Sequence, residues 1–104
     1  MSGPLPVRVV GSAAQAIIEA ADWWTANRPK ALDAFSAELE RAFQLLASQP
    51  SLGSRARNVK LVGVRRLHLP RVRYHLYYRV TSNPDAVEIL ALWHTSRGTS
   101  PNLR

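Results

Sequence analysis

The stretch RRLHLPRVRYHLYYRV, residues 65–80, carries the clearest structural pattern in the chain. After Pro70 and Arg71 it alternates strictly: Val72, Tyr74, Leu76, Tyr78 and Val80 fall on one side of an extended chain, and Arg73, His75, Tyr77 and Arg79 on the other. Two strands are therefore expected, over residues 62–69 and 72–80, with Pro70 and Arg71 as their tight connection. The aliphatic and tyrosine side is expected to pack against a helical layer, which leaves the Arg, His and Tyr ladder on the open side of a sheet.

Working outward, Asn83, Pro84 and Asp85 form a turn. Residues 86–94, AVEILALWH, are then a nearly continuous apolar run, as expected of a strand in the sheet centre. Upstream, Pro50, Ser51, Gly53 and Ser54 are a turn cluster, and the basic stretch to Lys60 reads as a loop. Two helices precede it. Leu32, Phe35, Leu39, Phe43 and Leu46 form the stripe of the second, entered through Pro29 and stopped before Pro50. In the first, Ser12 and Gln15 predict a capping box, and Ala14, Ile17, Ile18, Ala21 and Trp24 predict one apolar face running toward Asn27. Trp23 lies off that face, either flanking the core or standing as an exposed anchor for a partner. Val7, Val9 and Val10 around Arg8 read as a first strand ended by Gly11, so the order is β-α-α-β-β-β, an α+β chain with a helical hairpin.

At 104 residues and 46% apolar content the chain is one small domain with a single core, expected to have short flexible ends at about residues 1–5 and 99–104. An elaborate multi-domain enzyme is not expected. Fourteen Lys and Arg against seven Asp and Glu give a formal +7. Residues 1–54 carry four basic and five acidic side chains, net −1, while residues 55–104 carry ten and two, net +8. Nine of those ten are Arg, whose planar fork suits carboxylate and phosphate, so the second half reads as a recognition surface for an acidic or phosphate-bearing partner. Without cysteine there is no disulfide, thiolate metal site or Cys nucleophile, and three scattered His give no metal-ligand spacing. No phosphate-cradling Gly loop is present, no helix carries a basic face for reading DNA, and no cofactor is expected. No apolar run approaches a membrane span and the first residues have no signal core, so the expected location is the cytoplasm.

The order of elements, the residue 65–80 segment and the ending VEILALWHTSRGTSP together resemble the RelE/ParE superfamily of type II toxin-antitoxin toxins, over residues 7 to about 101. The resemblance implies a helical hairpin on one face of a small, mainly antiparallel twisted sheet. It also implies growth arrest and plasmid stabilisation, with one of two targets. RelE-like members cut mRNA in the ribosomal A site with Lys, Arg and an acid-base group on the open sheet face; ParE-like members poison DNA gyrase. Where RelE-like nucleases carry an Arg beside the strand Tyr, this chain has His75 after Tyr74; where they carry a further Arg after the last strand, it has Thr95. No Tyr follows Arg97, and the loop offers Lys60 where RelE has a Lys pair, whereas His94 and Arg97 resemble the end of the last strand in ParE-like chains. The expectation is a ParE-like toxin, not itself an enzyme, that inhibits gyrase and is neutralised in a hetero-oligomer by an antitoxin with an acidic or amphipathic disordered segment.

On that reading the target- and antitoxin-binding residues are Arg65, Arg66, Arg73, Arg79, His94, Arg97 and Trp23. RNA cleavage would need a base for the 2′-hydroxyl, a cation for the phosphorane and an acid for the leaving oxygen. His75, His94, Arg73, Tyr77, Arg79 and Arg97 are the alternative set for that chemistry, with His75 and His94 as the acid-base couple if strand register brings them together. His94 is otherwise a strand-end histidine bonded to backbone, and Arg79 is otherwise paired with Asp85 or Glu88. A toxin fold that has lost activity and only binds antitoxin is the third alternative.

Overall fold

A computed structural model of the chain describes residues 3–103. Met1, Ser2 and Arg104, parts of the ends expected to be flexible, lie outside the described residues, as does the side chain of Leu32, expected on the second helical stripe. The elements are β1 (Val7–Val9), α1 (Gly11–Asn27), a 3₁₀ turn (Pro29–Ala31), α2 (Leu32–Ser48), β2 (Ser54–Arg55), β3 (Arg65–Leu69), β4 (Tyr74–Thr81) and β5 (Ala86–His94). The sheet order is β1-β5-β4-β3-β2; β1 runs parallel to β5 and the other pairs are antiparallel. The expected order holds, with β2 added as a two-residue edge too short to leave a pattern.

The helical hairpin covers one face. Phe35, Leu39, Ala42 and Leu46 of α2 are buried against Leu69, Leu76, Tyr78, Val87, Ile89 and Leu92, with Tyr74 packed beside them. The expected packing side of β4 therefore faces the helices, except that Val80 near the strand end is exposed. In α1 the buried positions are Ala13 and Ala20, flanked by Ile17, Ala21 and Trp24, while Ile18 is 54% exposed. Small alanines let the helix approach the sheet closely, and the packed face is turned away from Ile18.

The capping box is absent. Val10 donates its N–H to Ile89 O at 3.1 Å and is itself the N-cap, without a side-chain cap bond. Ser12 thus falls inside the first turn, and Gln15 donates instead to Glu19 Oε2 at 3.3 Å. The strand at 62–69 is also shorter than expected: Val62 and Gly63 form a turn, with Gly63 at φ +84°, and pairing starts at Arg65. Nor does β4 begin at Val72. Arg73 adopts φ +62° in a four-residue connection, donating its N–H to Leu69 O at 2.8 Å and accepting Thr95 N–H at 2.9 Å.

The open side of the sheet is partly roofed. Val64, Tyr77 and Leu90 are buried beneath Ala56, Val59, Leu61 and Leu103, and the N–H groups of Lys60 and Leu61 both donate to Leu103 O, at 3.1 and 3.0 Å. At the other end Leu5 N–H donates to Ala47 O at 2.8 Å. Among the described residues no helix is long and apolar enough to cross a membrane.

Candidate functional site

Register decides which side chains meet. In the β3–β4–β5 ladder His68 pairs with His75 and His75 with Trp93, so these three share the open face; Leu69, Tyr74 and His94 form the next row, on the helical face. His75 and His94 therefore point to opposite sides of the sheet, and the proposed acid-base couple is not assembled. Tyr77, 1% exposed, accepts a hydrogen bond from Asn58 Nδ2 at 3.0 Å under the loop and is part of the second core.

The open face retains a cationic and aromatic row. The His68 and His75 rings lie 5.2 Å apart, the Arg97 guanidinium stacks 3.8 Å over Trp93, and the Trp93 indole N–H donates to Thr99 O at 2.8 Å. Arg66, paired with Tyr77, belongs to the same face. Burial, then the Arg66 charge and His68, hold the His75 imidazole below its ordinary pKa, because each penalises a second positive charge.

Three expected binding residues come together at the opposite end of the hairpin. A groove of about 380 Å³ is lined by Trp23, Trp24, Arg28, Arg71, Val72, Arg73 and His94. Trp23 is 50% exposed and meets Trp24 edge-on at 5.6 Å; Trp24 stacks on Phe35 at 6.0 Å, Phe35 meets Tyr74 at 5.8 Å, and Tyr74 meets His94 at 5.1 Å. This aromatic chain braces the groove from within the core. His94 Nδ1 accepts Ser96 N–H at 3.2 Å and lies 2.6 Å from Ser96 Oγ, the backbone-bonded arrangement weighed from the sequence. The indole Nε1 of Trp24 is buried without a partner among the described residues. Trp24, Arg28 and Arg71 were missed by sequence reasoning. Trp24 counted only as core, while Arg28 and Arg71 sit in turns distant in sequence, which no local pattern links.

Two expected binding residues have other partners. Arg65 donates to Gly53 O at 2.7 Å and Ser51 O at 3.4 Å, pinning the turn that follows α2. Arg79 Nε donates to Glu88 Oε1 at 2.8 Å, and Arg8 approaches the same carboxylate at 3.5 Å. Among the described residues no group of three or more His, Asp or Glu could hold a metal ion.

Solved structures of other proteins share this architecture. A chain from the chromosomal ParDE toxin-antitoxin system of P. aeruginosa superposes with TM-score 0.71 at 21% identity, covering 91% of this chain and 100% of that one. A chain from the toxin-antitoxin complex RelBE2 of Mycobacterium tuberculosis does so with TM-score 0.62 at 27% identity, covering 88% and 99%. The fold is thus that of a RelE/ParE superfamily toxin. The family described as ParE toxin of type II toxin-antitoxin system, parDE, matches residues 9–98, and the chain belongs to it. No curated protein matches the chain.

Proposed function

We propose that this type II toxin acts by protein-protein contact on DNA gyrase rather than by cutting RNA, and that a cognate antitoxin neutralises it. The observation that carries this is the separation of His75 and His94 onto opposite faces, with Tyr77 buried between the sheet and its roof. A general acid and a general base must both reach one phosphodiester, which His75 and His94 cannot do as a couple from two faces of the sheet. Arg79, already committed to Glu88, adds little free charge for a phosphorane.

The antitoxin's acidic, amphipathic segment docks over the hairpin end. There Trp23 supplies a half-exposed apolar anchor and Arg28 and Arg73 supply cations for its carboxylates, while Arg71 lies 3.9 Å from Glu38. The test is to assay the purified protein in parallel for gyrase supercoiling and for cell-free translation with primer extension on the mRNA. Loss of supercoiling with intact mRNA is expected. Codon-position cuts in ribosome-bound mRNA that vanish in His75→Ala would overturn the reading.

A further inference from the structure

The roof of the open face carries an exposed element that neither the groove nor the sheet row uses. Val62 is 90% exposed, more than any other large apolar side chain among the described residues. Beside it lies a shallow dent of about 270 Å³ whose apolar lining includes Val59 and Leu61. The base of this turn is firmly held. Ala56 N–H donates to Val64 O at 2.9 Å, the Lys60 and Leu61 N–H groups donate to Leu103 O, and Val59 and Leu61 pack against the Tyr77 cluster. Val62 is thus displayed on a fixed support.

Its surroundings are cationic. Arg55, Arg57 and Lys60 are exposed and enter no ion pair among the described residues, and the only acids after residue 54 are Asp85 and Glu88, in the β4–β5 turn and in β5. An exposed apolar knob and dent among unpaired cations suit an acidic protein surface, whose carboxylates the cations would meet while the knob is buried. Single-stranded nucleic acid would call for aromatic stacking platforms, and the turn has none.

We propose that the Val62 turn is the contact by which the toxin grips its target protein, through an acidic surface bearing a small apolar cleft. The inference rests on the reading that the toxin acts by protein contact. The turn precedes the first residue of β3 and packs on the open face, whereas the tryptophan groove lies beyond the last residue of β3, on the helical face. Five strand residues separate them by roughly 16 Å, so a change at Val62 leaves the groove intact.

The test uses full-length Val62→Asp, Val62→Ser and Arg57→Glu, checked for unchanged thermal unfolding. Each is scored for growth arrest on induced expression and for gyrase inhibition after purification. Both Val62 variants are expected to fold and to lose about tenfold or more in inhibitory potency, with Arg57→Glu also weakened. Arrest by the Val62 variants equal to wild type overturns the proposal. So does loss of arrest with Arg57→Glu while Val62→Ser stays active, since that marks a purely electrostatic contact. If wild type arrests growth without inhibiting gyrase, the gyrase reading fails, and loss of arrest on changing Val62 still supports the turn as the target contact. A wild-type protein that arrests nothing overturns both.

Discussion

Gly53→Ala is expected to be among the most destabilising single methyl additions available in this chain. Gly53 is buried where the turn after α2 crosses Tyr78. Its N–H donates to the Tyr78 hydroxyl at 2.8 Å, and that hydroxyl donates onward to Pro50 O at 2.8 Å, so one phenol ties both ends of the turn. A Cβ at Gly53 would stand 2.7 Å from Tyr78 Oη, 2.8 Å from Tyr78 Cε1 and 2.9 Å from Arg66 O. The ring is fully buried and the oxygen belongs to β3, so neither can swing aside. Relief requires moving the turn, which breaks one or both phenol bonds at about 1 kcal/mol each, on top of about 1–3 kcal/mol for overpacking. The expected loss is about 2–5 kcal/mol, and a domain of this size loses about 4–8 °C in Tm per kcal/mol. Urea unfolding followed by circular dichroism, with m unchanged, measures it. In a Tyr78→Phe background the 2.7 Å contact is gone but the other two remain, so the substitution should cost less there than in wild type. A loss under about 0.5 kcal/mol, or equal losses in both backgrounds, would refute the steric argument.

Trp23→Ala should weaken binding of the cognate antitoxin by about 2 kcal/mol or more while changing stability little, because the side chain is half exposed; titration calorimetry showing a change within about 0.5 kcal/mol would remove it as an anchor. His75 has a folded-state pKa below its unfolded one, so the unfolded chain binds the proton first. Its contribution to stability is full above about pH 6.5 and is lost as pH falls through the lower folded value. Tm measured from pH 7.5 downward should fall less steeply in His75→Gln, and identical profiles would show that the His75 environment is not the cause. Glu88→Ala frees Arg79 and Arg8 together and should cost about 1 kcal/mol, shrinking in high salt; a salt-independent loss in chemical denaturation would point to packing instead. Tyr77→Phe removes only the acceptor for Asn58 and is expected to keep full growth arrest at a cost of about 1 kcal/mol, whereas loss of arrest with the fold intact would return Tyr77 to the functional surface.

Everything governed by local period and punctuation was legible from the residues alone. The two-residue alternation from Val72 to Val80 separates the Tyr74, Leu76 and Tyr78 side from the His75 and Tyr77 side, and that division holds. The α2 stripe, the turns at Pro50 and Pro84, the element order and the concentration of positive charge after residue 54 are likewise local or additive properties. Tertiary structure alone decided which distant residues meet. Side chains alternate with period two, so a one-residue change of register would have set His94 beside His75; the pairing of Tyr74 with His94 instead sends them to opposite faces. Non-local packing likewise buries Tyr77 under residues from a loop and the C-terminal end, ties Arg65 to Gly53 and Arg79 to Glu88, and gathers Trp23, Arg28, Arg73 and His94 around one groove. Their free energies depend on contacts across tens of residues of chain, which no window of sequence contains.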